Sequence, residues 1–240
     1  ECFFRSIELY SVSEKTFNPA LFPLVNYWGF YKSNPVDFKP DSLIIDSLLN
    51  LCQFDSCFNF STNKICKNNL NSKLDFNAIA QGYSVDLIAD FMDQKNITNY
   101  LVEIGGELSA KGVNVRGDVW KVGIDKPVDD SKPGENDFQE IISLNNMSLA
   151  TSGNYRKFYT VDGNRYSHTI NPFTGYPVSH SLLSATVVAE EAYFADAMAT
   201  SFMVKGLELS KAFIVRNKHL NLNVLLVYDS LGEYKEWKNF

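Results

Sequence analysis

Asp196 and Thr200 stand four residues apart in Ala195-Asp196-Ala197-Met198-Ala199-Thr200, so on a helix both oxygens project from one face. Hard cations take oxygen ligands, and magnesium often keeps water or substrate phosphate in its shell. Two side chains and a backbone carbonyl would therefore hold it. The same spacing also fits an alanine-rich packed helix whose Asp is hydrogen-bonded and whose Thr bonds back to the preceding turn. A second constellation is Asp75-Phe76-Asn77-Ala78-Ile79-Ala80-Gln81-Gly82-Tyr83-Ser84-Val85-Asp86. Its small residues let backbone approach a ligand, and the helix start would turn unpaired N–H groups and the positive end of the dipole towards a phosphate. A plain strand-to-helix turn has a similar composition. The third is His168, at a strand end before Asn171-Pro172-Phe173-Thr174-Gly175, where it is placed either for proton or phosphate work or for a structural role. Glu103 and Glu107, on a strand and at its exit, read as solvated carboxylates rather than a catalytic pair. Gly105-Gly106 lacks the GxGxxG spacing of a dinucleotide fold, and no GxSxG elbow exists for a serine hydrolase.

The elements that must position these residues are legible in the second half of the chain. Tyr83, Leu87, Ile88, Phe91 and Met92 recur at helical spacing, with Asp86, Asp90 and Asp93 towards another side, predicting an amphipathic helix over 83–95. Tyr100 to Ile104 reads as a strand ended by Gly105-Gly106, Val119 to Ile124 as another, and Phe138 to Leu144 resumes the pattern after a polar loop with Pro133-Gly134. Asp162-Gly163 is a hairpin signal between strands at 155–161 and 165–170, because Gly accepts positive φ without steric cost. A strand at 183–189, a helix at 190–204, another at 207–216, and a last strand pair around Gly232 complete the chain. Residues 1–70 hold aromatics among Pro and Asn turns and give only a weak local pattern. Strands and helices are mixed without a repeating βαβ register, so the fold class is α+β, one compact unit over 1–240, with mixed, largely antiparallel sheets flanked by helices.

Apolar residues at 45% and charged residues at 21% are those of a globular chain. Twenty-eight acidic against 22 basic residues give a net charge of −6, and the basic residues form no run that could track a phosphate backbone, which argues against a nucleic-acid partner. That charge would not draw in an anionic ligand from afar, so such a ligand would need a local device, a metal ion or a helix N-terminus. No stretch approaches the ~18 apolar residues of a membrane span. The cysteines, Cys2, Cys52, Cys57 and Cys66, form no CxxC pair. Unpaired thiols are the default, and a Cys52–Cys57 or Cys57–Cys66 disulfide is the alternative.

Taken in order, these segments resemble the ApbE family of flavin transferases. Residues 75–86 are similar to its LDLGAIAKGYAVD segment, Leu101 to Glu107 to VNIGGDI, and Trp120 to Pro127 to WRVGIxxP. Residues 150–178 are similar to ATSGxYR and YSHIIDPxTGxPV, Asp196 to Thr200 to DAxAT, and Phe17 to Phe30 to FDPTVGPLVNLWGF. The resemblance implies a T-fold-related architecture and an enzyme that uses magnesium, with manganese as an alternative, to move FMN from FAD to a threonine of an acceptor protein, releasing AMP. It implies FAD contacts from Phe17, Asn18, Asp75, Gln81 and the Ile170 backbone, metal ligation by the Ala78 carbonyl, Asp196 and Thr200, and a catalytic part for His168. Hydrolysis of FAD to FMN and AMP, or FAD binding without turnover, are the alternatives. A cell-envelope location follows from the same resemblance. Asn18, Gln81, Thr169 and Asn171 depart from the usual Asp, Lys or Glu, Ile and Asp. The family's N-terminal MGT segment has no counterpart, so the expectation is a chain lacking that segment.

Overall fold

The computed structural model describes residues 1–31, 38–61, 64–126, 138–154, 158–161 and 164–240, with the side chains of 158–161 and 164–165 left aside. The Pro133-Gly134 loop and the Asp162-Gly163 turn lie outside the described residues.

The N-terminal third is helical: α1 (Cys2–Val12), α2 (Phe22–Tyr27), α3 (Ser42–Leu51) and α4 (Phe54–Cys57), followed by a small ribbon of β1 (Phe58–Ser61) and β2 (Lys64–Lys67). Then come α5 (Ala80–Gln94), β3 (Tyr100–Ile104), β4 (Glu107–Lys111), β5 (Trp120–Asp125), β6 (Phe138–Leu144) and β7 (Met147–Gly153). The pair β8 (Phe158–Val161) and β9 (Asn164–Ser167) precedes β10 (Leu182–Ala189), α6 (Ala192–Arg216), β11 (Asn223–Ser230) and β12 (Glu233–Lys238). The expected helices at 190–204 and 207–216 are the two parts of α6, separated at Gly206, whose φ of 73° breaks the helical ladder.

The main sheet runs β12-β11-β10-β7-β4-β3, with each of these pairs antiparallel. Its two faces are covered by different layers. Alternate residues Ala185, Val187, Val224 and Leu226 pack under α6 with Met198, Phe202 and Phe213. The intervening Val188, Leu225 and Val227 meet Ile124, Ile142 and Leu144 of the β5–β6 ribbon. Burial on both sides explains why β10 and β11 read as near-continuous apolar runs rather than alternating ones.

Residues 1–70 show only a weak local pattern, yet α1 to α4 form there; α3 starts on the Asp41 side chain, which accepts the Leu43 amide, and aromatic packing joins the segment to the rest of the fold. Fully buried Trp28 is the hub: its indole N–H donates to the Gly175 carbonyl at 2.7 Å, and its ring lies against Phe38, Tyr166 and Tyr176. That bond ties the N-terminal helices to the turn beyond His168.

Candidate functional site

The nine residues singled out above, Phe17, Asn18, Asp75, Ala78, Gln81, His168, Ile170, Asp196 and Thr200, all line one cavity of about 1190 Å³. They come from four separate stretches of chain, and α5 and α6 do most of the positioning. Gly82 lets the two helix starts touch: a Cβ there would lie 2.3 Å from the Ala192 carbonyl oxygen, so no other residue fits without moving α6. One turn further along α5, Asp86 accepts the Ala192 and Tyr193 amides, both at 2.8 Å, and so caps α6 from outside its own chain segment. Burial outweighs these two donors and pushes the Asp86 carboxyl up to about 6. The capped, glycine-seated start of α6 delivers Asp196 to the cavity.

Asp196 is 5% exposed and accepts the Gly82 N–H at 3.2 Å. In an unbroken helix that N–H would go to the carbonyl of Ala78, four residues back. Its diversion leaves the Ala78 carbonyl oxygen outside the ladder, and Ala78 lines the same cavity as Asp196. Thr200 shares a 3.0 Å hydroxyl contact with Ser152 of β7, which also lines the cavity. Burial, and then the charge of Glu107, push the Asp196 carboxyl up to about 7. A carboxylate held this dry, with the charge of a second one acting on it, fits a hard cation, and Ala78 and two hydroxyls share its cavity wall. Among the described residues no three His, Cys, Asp or Glu side chains gather at a metal-binding group, so such a cation would take part of its shell from hydroxyl, carbonyl and ligand oxygens.

Two expectations change here. Glu107 is not solvated: it is 8% exposed, burial raises its carboxyl to about 7 with Glu103 adding to the shift, and its Oε2 has no hydrogen-bond partner among the described residues. Glu103 is exposed, as expected. Gly105-Gly106 is a two-residue hairpin loop with φ of 68° and 110°, closing the Ile104–Glu107 pair, and α5 and α6 then cover the strand exit. A burying layer that comes from distant sequence leaves no local signal. The only sign available was the glycine pair, which fixes Glu107 as the first residue of a paired strand. The second change concerns the start of α5. The Ile79 and Ala80 amides both donate to the Phe76 carbonyl, at 3.0 and 2.8 Å, and Gly82 donates to Asp196. Fewer N–H groups are left for a phosphate than the bare helix start suggested.

Asp75, also on the cavity wall, is fully engaged. Its Oδ1 accepts the Asn77 amide at 2.9 Å, and its Oδ2 accepts the hydroxyl of Tyr31, which also receives the Asn77 side-chain amide at 3.1 Å. Desolvation and the Asp75 charge raise the Tyr31 phenol well above its ordinary value. Tyr31 stacks on Phe22 with centroids 5.0 Å apart, giving the wall beside Asp75 a flat aromatic surface that the sequence did not announce.

The remaining residues are placed as follows. Gln81 reaches over Gly105, where a Cβ would meet its Nε2 at 1.9 Å. Asn18 uses its side chain within the fold, accepting the Ala20 amide at 2.8 Å and donating to the Cys52 carbonyl at 3.0 Å. Phe17, 2% exposed, packs in a core with Leu9, Ile79 and Tyr193. Ile170, 3% exposed, bridges to Pro177 through its backbone. His168 is half-buried, edge-on to Phe30 at 6.4 Å. Thr169 donates to the Asn154 side chain at 2.7 Å. All four cysteines are free, and burial raises the Cys52 thiol to about 12. No described helix is long and apolar enough to cross a membrane.

This three-layer α+β fold is similar to that of the solved flavin transferases. The flavin transferase ApbE from Vibrio cholerae superposes with a TM-score of 0.85 at 33% identity, covering 99% of this chain and 73% of that one. The sequence profile of the ApbE family matches residues 1–226, and the chain belongs to that family. The FAD:protein FMN transferase of Vibrio cholerae is 36% identical over 233 residues, and that of Haemophilus influenzae 37% over 228. These matches take in 96% and 93% of this chain but 67% and 64% of the relatives, so the chain spans about two thirds of their length.

Proposed function

We propose that the protein is a magnesium-dependent FAD:protein FMN transferase, attaching FMN through a phosphoester to a threonine of an acceptor protein and releasing AMP. The observation that carries this reading is that Asp196, Thr200 and Ala78 line one cavity of about 1190 Å³ together with Asp75 and the Tyr31 ring. A dinucleotide laid across it would have its pyrophosphate near the carboxylates and a ring near Tyr31.

Phosphoryl transfer of this kind depends on positioning and charge stabilisation more than on covalent help from the protein. When bound, magnesium supplies the charge that neutralises the pyrophosphate oxygens. Asp196, Thr200 and the Ala78 carbonyl would hold it, fixed in place by the Gly82 and Asp86 contacts between α5 and α6. The acceptor threonine Oγ forms a bond to the FMN phosphorus, the bond from that phosphorus to the bridging oxygen breaks, and AMP leaves with the bridging oxygen. His168, on the cavity wall, orients or receives the hydroxyl proton. Gln81, lying over Gly105, narrows the wall without adding charge. The cell-envelope location belongs to the same proposal and rests on family resemblance.

The test is incubation of the protein with FAD and MgCl₂, with and without a threonine-bearing acceptor domain. Flavin fluorescence on the denatured acceptor together with AMP release is the expected result. AMP with free FMN, whether or not acceptor is present, would mean a pyrophosphatase, and intact FAD in every condition would overturn both.

A further inference from the structure

The proposal above leaves Glu107 without a task, although its burial is the least expected feature of the cavity. A carboxylate 8% exposed, with an oxygen that bonds nothing among the described residues, is costly to keep unless something compensates it. Its Oε2 stands 3.6 Å from where a Cβ of Gly105 would lie, on the same side of the glycine as the Gln81 amide, yet it accepts no hydrogen bond from that amide. Glu107 and Asp196 line one cavity and are close enough for the charge of Glu107 to act on Asp196. They arrive from adjacent layers, one on the first residue of β4 and the other in the first turns of α6. The two-glycine loop, which fixes Glu107 opposite Ile104, and the Gly82–Ala192 contact, which seats α6, together hold them there.

We propose that Glu107 is a second carboxylate of the cation site, a direct ligand or the acceptor of a cation-bound water, joining Asp196, Thr200 and the Ala78 carbonyl. The inference rests on the cation reading of Asp196 given above. An extra negative ligand raises the affinity of an oxygen site for a divalent ion and lets it fill before the nucleotide arrives. With Asp196 as the only carboxylate, the cation would depend on the pyrophosphate to enter. With two, the protein takes up the metal alone.

Manganese titration of the FAD-free protein, followed by the EPR signal of free Mn²⁺ with magnesium as competitor, tests this. Wild type is expected to bind one Mn²⁺ without FAD, and Glu107→Gln, which keeps the shape and removes the charge, to bind it at least about tenfold more weakly. Thermal denaturation gives the second readout. Metal-free Glu107→Gln is expected to melt no lower than wild type, because one of two buried like charges is gone, and to lose most of the MgCl₂-induced rise in Tm. Glu107→Asp, keeping the charge at shorter reach, should fall between the two. Wild-type manganese affinity in Glu107→Gln, with Asp196→Asn binding none, would overturn the role of Glu107 while leaving that of Asp196 standing. Failure of wild type to bind manganese even with FAD present would sink the cation reading, and this inference with it.

Discussion

Two carboxylates line the cavity, and they are treated in opposite ways. Asp75 sits on an open, half-buried turn with both oxygens taken by groups a few ångströms away, the Asn77 amide and the Tyr31 hydroxyl. Asp196 is nearly sealed from solvent and accepts one backbone amide, with Glu107 as a like-charged neighbour. A carboxylate whose bonding is complete is part of the scaffold or exchanges one hydrogen bond for another when a ligand comes. A dry carboxylate short of partners binds a cation or takes a proton. The cavity wall thus carries one carboxylate suited to charge and another suited to hydrogen bonding.

The sharpest way to break this contrast is Asp196→Ala. It removes the proposed charged ligand borne by α6, so magnesium-dependent AMP release should fall by about 10³-fold or more, the scale of losing a main electrostatic stabiliser. The circular dichroism spectrum should stay that of wild type. AMP release at the wild-type rate would refute the assignment of Asp196. Gly82→Ala attacks the same carboxylate through its seat. The added methyl meets the Ala192 carbonyl at 2.3 Å, and backbone on both sides cannot yield as a flexible side chain would, so a destabilisation of about 2–3 kcal/mol in urea denaturation is expected. An unchanged midpoint would mean that α5 and α6 are not held in contact at this point.

How the surroundings of the two carboxylates appeared in the sequence differs in the same way. Those of Asp196 were largely legible, because Asp196 and Thr200 show their relation as an i, i+4 pair on one helix and Gly82 stands in a compact local motif. What stayed hidden there was Glu107, since its burial comes from α5 and α6 crossing over a strand exit, which the residues around Glu107 do not encode. The surroundings of Asp75 were poorly legible throughout. Tyr31 meets Asp75 across 44 positions of sequence, and Trp28 at the end of α2 bonds to Gly175, 147 positions away. In the central sheet β3, β10, β11 and β12 were readable as strands, while β4 and β7 were not. Nor was the placing of β7 between β4 and β10, because strand order is fixed by faces packing in three dimensions and leaves no periodicity in one strand.

The smallest effect belongs to Asp75, and its sign carries the information. Tyr31→Phe keeps the ring stacked on Phe22 and deletes the hydroxyl that occupies Asp75 Oδ2. If Asp75 exchanges that partner for a ligand group, the phenol competes with the ligand. Removing it should then tighten FAD binding by about fivefold, in keeping with roughly 1 kcal/mol for one hydrogen bond. Fluorescence quenching of FAD measures this without turnover. Binding that weakens instead would show the hydroxyl contacting the ligand itself, and Asp75 would then be scaffold for Tyr31 rather than a group that meets FAD. Asp196→Ala and Tyr31→Phe should also separate in kind, the first acting on the metal-dependent step and the second on nucleotide affinity, because Asp196 and Asp75 line one cavity but differ in the partners they lack.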